Sequence, residues 1–278
     1  MKGKNIFSTQ LRSGEIPTLM VNFDEGKEES INTLAITMVA VYLAQLQVDW
    51  EKRWGSSIEK ALDFIESRAY RHETEDYVFW HFNGFYPPDW EDTSFAIYLL
   101  VKNNRLKVSE LGSLRKLFLS NMTKRGVGVW VKDPYSSGNA NLNQWDPTSA
   151  LNILRMYYLF EIDEVECEKA ERFIIENLSL NKFEKATLYY TAPITAFFAQ
   201  RLLSDFSCNN NNFRLAIRNF YNEVTDAISA GFLIATPIEK ALLNFPTGEN
   251  DRGLIFHHGR RTKICYGSPV LYKLALIK

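Results

Sequence analysis

The sequence predicts an all-α chain folded as a single α/α toroid, a barrel near (α/α)6 in which inner and outer helices alternate. Three observations carry that expectation. Six helix starts look alike, helices apolar on every side alternate with amphipathic ones, and the long connections before the apolar helices hold many of the aromatic residues.

Asp146-Pro147, Thr236-Pro237 and Ser268-Pro269 each set a capping side chain before a proline. Proline costs nothing at the first helical position, because the N–H it lacks has no partner there. Thr236 with Glu239 also fits a capping box. Ser30-Ile31-Asn32-Thr33, Asp92-Thr93-Ser94 and Thr191-Ala192-Pro193 open three more helices. The segments that follow, such as 95–101 and 192–203, are apolar nearly all round, as helices buried on every side are. Between them the apolar positions thin to one stripe: Ile58, Ala61, Leu62 and Ile65; Leu111, Leu114 and Phe118; Cys167, Ala170 and Ile174; Phe213, Ala216, Ile217, Phe220 and Val224. Inner helices are therefore expected near 31–48, 92–103, 147–160, 187–204, 237–245 and 269–277. Outer helices are expected near 56–67, 109–122, 163–178 and 212–230. The repeat is loose, 55 residues from Thr93 to Thr148, which favours a closed ring over a regular open solenoid. The whole of 1–278 reads as one domain, with 1–25 as an N-terminal extension.

With 46% hydrophobic and 14% aromatic residues the chain can fill a large core. Its formal net charge of -1 sets up no field that would gather nucleic acid or an anionic membrane. Cys167, Cys208 and Cys265 are odd in number and scattered, which reads as reduced thiols in a cytoplasmic protein. Residues 1–9 lack the apolar run of a signal peptide, and no stretch approaches the roughly 20 apolar residues of a transmembrane helix. The sequence holds no Gly-x-Gly-x-x-Gly, Walker loop or Gly-x-Ser-x-Gly, which argues against nucleotide cofactors and hydrolase triads.

Chemistry concentrates at Pro87-Pro88-Asp89-Trp90-Glu91-Asp92-Thr93-Ser94. Three carboxylates in four positions raise one another's pKa and keep a proton near neutral pH. The pattern puts Asp92 at the helix N-cap, with Asp89 and Glu91 in the loop before it. On a plainer account Asp92 only caps the helix, and its neighbours are solvated acids favoured by the helix dipole. The connections 68–91, 123–146 and 246–267 hold Trp80, Phe82, Phe85, Tyr86, Trp90, Trp130, Tyr135, Trp145 and Phe256. These rings either line a cavity whose faces stabilise cations or fill a core.

A second concentration is His257-His258-Gly259-Arg260-Arg261-Thr262-Lys263. Inner helices of one polarity start at the same end of a ring, so this cluster is expected at the mouth that holds Asp89 to Asp92. Arginine forks and a lysine near helix N-termini suit a diphosphate. Alternatively the cluster is a charged loop, or its arginines pair with Asp24-Glu25 or with Glu249 and Asp251. No zinc site is expected: Cys265 with His257 or His258 is short of the four ligands such a site needs.

The acidic Pro-Pro-Asp-x-Glu-Asp-Thr start of an inner helix, in a ring of alternating helices, resembles the terpenoid cyclase/protein prenyltransferase superfamily. It is most similar to the barrel domain of class II terpene cyclases of the squalene-hopene cyclase type. The segments Thr236–Leu242 and Tyr266–Leu271 resemble late inner helices of that superfamily. Gly259-Arg260, Lys263 and Cys265-Tyr266 resemble the stretch by which prenyltransferases hold a prenyl diphosphate. The resemblance implies that Glu91 protonates a double bond of a linear isoprenoid while Asp89 and Asp92 hold it protonated and oriented. It implies substrate contacts from Trp80, Phe85, Tyr86, Trp90, Trp130, Trp145, Tyr190, Phe256, His257 and Tyr266. Arg260, Arg261 and Lys263 would hold a head group, with Mg2+ if that group is a diphosphate. Such chemistry needs a dry pocket, so a dimer partner, another chain or a membrane surface would close the mouth. The middle acid here is Glu where the family has Asp, and one domain stands where familiar relatives have two. Two other readings remain open: a non-catalytic isoprenoid- or lipid-binding module, and a carbohydrate-active α/α barrel. The sugar reading needs a second acid across the cavity; Asp146 is a candidate, although its place is that of a cap.

Overall fold

A computed structural model describes residues 6–72, 76–82, 87–132, 144–247, 254–257 and 264–277, with the backbone alone for 255–257. In chain order the elements begin with strands β1 (Thr18–Asn22) and β2 (Lys27–Ile31) and helices α1 (Leu34–Gln45) and α2 (Trp50–Ser67). Then come β3 (Tyr70–Arg71), β4 (Val78–Phe79), α3 (Trp90–Lys102), α4 (Gly112–Ser120), α5 (Pro147–Leu159), α6 (Glu164–Asn177) and α7 (Leu180–Ala186). The last are α8 (Ala192–Asp205), α9 (Asn211–Ser229), α10 (Pro237–Leu242), β5 (Leu254–His257), β6 (Ile264–Gly267) and α11 (Pro269–Ala275). The all-α expectation holds in the main. All six expected inner helices (α1, α3, α5, α8, α10, α11) and all four outer ones (α2, α4, α6, α9) are present, and α7 is an addition.

Local chemistry explains the starts. Asp146 accepts from the backbone N–H of Thr148 and Ser149 at the head of α5, and Ser268 accepts from Val270 at the head of α11. The capping box of Thr236 and Glu239 is complete at α10. Thr33 stands at the N-cap of α1 without capping it; its hydroxyl meets that of Thr18 at 2.8 Å.

The chain groups into two units. One comprises Met1–Arg68, Leu188–Ile194 and Ile234–Lys278; the other comprises Ala69–Thr187 and Thr195–Leu233. In the first, α1 is buried along nearly its whole length and packs on α2 and α11. This unit departs from expectation in its strands. The 246–267 connection contains β5 and β6, and with β1 and β2 they make an antiparallel sheet of order β2-β1-β6-β5. Residues 1–25 therefore include a paired strand, where only an extension was expected. Gln10 is also tied down, its Nε2 donating to Ser57 O at 2.7 Å. Gly14, at φ 95°, runs so close to α2 that a Cβ there would meet Lys60 O at 1.8 Å. In the second unit α3 packs on α5, and α5 packs on α6, which in turn contacts α7 and α9.

Candidate active site

The acidic turn opens α3, but three residues earlier than expected. Asp89 is the N-cap, accepting from the N–H of Asp92 at 2.7 Å, and the helix runs from Trp90. Glu91 and Asp92 therefore lie in the first turn. Both Asp89-x-x-Asp92 and Asp92-Thr93-Ser94 carry a capping pattern, and the backbone pairing of the preceding segment selects the earlier one. Trp90 N donates to Val129 O at 2.7 Å and Val131 N to Pro88 O at 3.2 Å, which extends the chain up to Asp89.

All three carboxyls are buried, with exposures of 5% for Asp89, 8% for Glu91 and 8% for Asp92. Burial, with help from the nearby charge of Glu91, pushes Asp89 up to about 8, against the backbone N–H groups of Asp92, Glu91 and Phe82 that favour its ionised form. Asp92 is raised well above the ordinary range, first by burial and then by Asp89 and Glu91. The solvated-acid account fails on these exposures.

Glu91 is anchored by the next inner helix. Its Oε2 accepts from Ser149 Oγ at 2.5 Å and its Oε1 from Asn152 Nδ2 at 2.8 Å. Asn152 Oδ1 accepts in turn from Arg155 Nη1 at 2.6 Å. Ser149, Asn152 and Arg155 recur every third residue and so lie along one side of α5. Sequence reading missed them. Their signal was a polar stripe inside a helix otherwise apolar and buried throughout its first eleven residues.

The aromatic candidates divide. Trp90 is fully buried between Phe79 and Phe118, at 6.1 and 5.0 Å edge to face, and donates through Nε1 to Asn121 Oδ1 at 3.2 Å. It is a packing residue, which corrects its expected place in a lining. Trp80, 1% exposed, is likewise core, and its backbone N donates to Thr93 Oγ1 at 3.1 Å. Trp130 is half-buried beside the acidic turn, bridged to Asp89 through the backbone, and donates to Gln144 Oε1 at 2.9 Å. Trp145 is half-buried with the Arg125 guanidinium 5.8 Å from its ring centre. Tyr190 is half-buried in the other unit. Tyr266 is buried in β6 opposite Met20, so the segment expected to resemble a late inner helix begins as a strand and turns helical only at Pro269. Phe85, Tyr86, His258, Arg260, Arg261 and Lys263 lie outside the described residues, as do the side chains of Phe256 and His257.

Asp146 is 1% exposed, and its second oxygen accepts from Thr187 Oγ1 at 3.2 Å. Both of its oxygens are thus engaged, as a cap's should be. Among the described residues no three His, Cys, Asp or Glu side chains converge to hold a metal ion. Among them, too, no helix is long and apolar enough to cross a membrane.

No protein-family model matches the chain, and no curated protein matches it. Among solved structures, the chain is similar to a type II terpene cyclase from Scytonema, an arginine-to-alanine variant in complex with its substrate geranylgeranyl dihydroxybenzoate. The match covers 98% of this chain and 92% of that one, at 11% identity and a TM-score of 0.42.

Proposed function

We propose that the chain is a class II terpene cyclase-like enzyme, starting the cyclisation of a linear isoprenoid by protonating one of its double bonds, with Glu91 as the donor. The observation that carries this reading is the burial of Glu91 among two further carboxyls, with both of its oxygens met by side chains of a second helix. Burial keeps Asp89 and Asp92 protonated near neutral pH, so Glu91 faces neutral neighbours when it loses its proton. Ser149 and Asn152 are already in place to receive the carboxylate as it forms. Donors set beforehand where charge develops stabilise a transition state more than donors that must reorganise. Trp130 and Trp145, half-buried in the same unit, are the rings this reading would turn toward a carbocation. If the substrate is a prenyl diphosphate, Arg260, Arg261 and Lys263 would hold its head group without ionising it.

The sugar reading loses its second acid, because Asp146 is spent on α5 and Thr187. The direct experiment incubates purified chain with farnesyl diphosphate, geranylgeranyl diphosphate and squalene, comparing wild type with Glu91→Gln. A cyclised product that disappears in the variant is the expected outcome. Tight isoprenoid binding with no product from either protein would leave a binding module in its place.

A further inference from the structure

Arg155 sits within α5, fully buried. Its guanidinium lies 5.2 Å from the ring centre of Phe95 and 5.4 Å from that of Tyr98, and 3.8 Å from the carboxylate of Asp205. Arg201 flanks the same carboxylate at 3.7 Å. Burying a cation this completely is costly and calls for compensating partners. One of those partners is the Oδ1 of Asn152. An amide side chain only accepts at its oxygen and only donates at its nitrogen. With Oδ1 held by a cation, Asn152 must turn Nδ2 toward Glu91.

We infer that Arg155 is a positioning residue that decides which oxygen of Glu91 carries the transferable proton. The inference rests on the reading of Glu91 as donor. Oε1 faces an N–H of Asn152, so a proton there would set two hydrogens head to head. The proton is thereby confined to Oε2, against the Ser149 hydroxyl, which can accept as well as donate. Were the amide turned over, its oxygen would accept from a proton on Oε1, and either oxygen could then carry it. Arg155 forbids that arrangement. Among the described residues, the other charged or titratable groups around Glu91 are Asp92 in its own helix and Asp89 at that helix's cap. On α5, Asp146 is occupied by the backbone of Thr148 and Ser149 and by Thr187. Beyond Arg155 stand Asp205 and Arg201 on α8, and Lys102 on α3, which feels Asp205, Arg201 and Arg155.

Arg155→Met removes the lock while keeping an unbranched side chain, Arg155→Lys keeps a cationic donor, and Asn152→Leu removes the amide. Without substrate, 13C NMR of chain labelled at the glutamate carboxyl carbon follows Glu91, identified by the resonance lost in Glu91→Gln. The Glu91 midpoint is expected to rise in Arg155→Met and in Asn152→Leu, since donors to the ionised form are lost, and to stay near wild type in Arg155→Lys. With substrate, Arg155→Met should lower kcat about 100-fold at unchanged KM, the scale of a small misplacement of a reacting group, and Arg155→Lys should restore most of it. An unmoved Glu91 midpoint in the folded Arg155→Met chain, or a lysine variant no better than methionine, overturns the inference. If Arg155→Met does not fold, Asn152→Leu decides by the same midpoint. A midpoint that moves in a wild type making no cyclised product would sink the cyclase reading and leave the positioning role standing. Product formation with an unmoved midpoint does the reverse.

Discussion

Glu239 and Glu91 each occupy the first turn of an inner helix, and they expose only 3% and 8% of their surface. Glu239 turns its carboxylate back on its own surroundings. Its Oε2 accepts from the backbone N–H of Thr236 at 2.6 Å, and its Oε1 from the hydroxyl of Thr191. Glu91 instead reaches a second helix and meets side chains there, one of them tied to a buried cation. Residue type and helix position are the same for both. The difference is that Glu239 completes the backbone of its own turn, whereas Glu91 is met by side chains of a second helix, and the proposed role of Glu91 as an acid rests on that difference.

The sharpest way to break this contrast is Glu91→Gln. Loss of a general acid should cut turnover by about 10²–10⁴-fold with little change in the denaturant midpoint. A large loss of stability instead would put Glu91 beside Glu239 as a structural residue. Next in size is the pH dependence of stability. Between the unfolded value of 3.8 and about 8, folded Asp89 holds a proton that the unfolded chain has released. Stability should therefore fall as pH rises through that window, by at most about 1.4 kcal/mol per pH unit for each such group. Asp92, raised in the same direction, adds to the slope, and denaturant titrations between pH 5 and pH 8 should show a shallower one in Asp92→Asn. Glu239→Ala should cost about 1–3 kcal/mol by leaving buried donors unmet, while turnover per folded molecule stays unchanged. Smallest is Thr236→Ala, about 1 kcal/mol for the loss of one cap, read as a shift in thermal midpoint. If either change at α10 lowers kcat, the division between the two glutamates collapses.

The helix starts were legible because their chemistry is local: Asp146-Pro147, Thr236-Pro237-Ile238-Glu239 and Ser268-Pro269 cap as their spacing demands. The strands were not legible. Lys27–Ser30 is wholly polar, Ser30-Ile31 reads as part of a helix start, and β1 finds its second partner, β6, at the far end of the chain. Periodicity within a window cannot show such pairing. The carboxyl cluster was visible as a motif, but its cap was misplaced by three residues, because two overlapping patterns compete there and the 129–131 segment settles between them. Trp80 and Trp90 show the limit for aromatics: a ring that fills a core and one that faces a cavity have the same composition and the same neighbours in sequence.

The outer strand β2 has a consequence for how the protein behaves in concentrated solution. It ends the sheet β2-β1-β6-β5 and is exposed from Lys27 to Ser30. An unpaired edge is a template on which another molecule's strand can dock and polymerise. Here the docking edge carries Lys27, Glu28 and Glu29, charged side chains that an incoming strand would have to strip of water. Replacing them with apolar residues is expected to lower solubility long before it disturbs the fold.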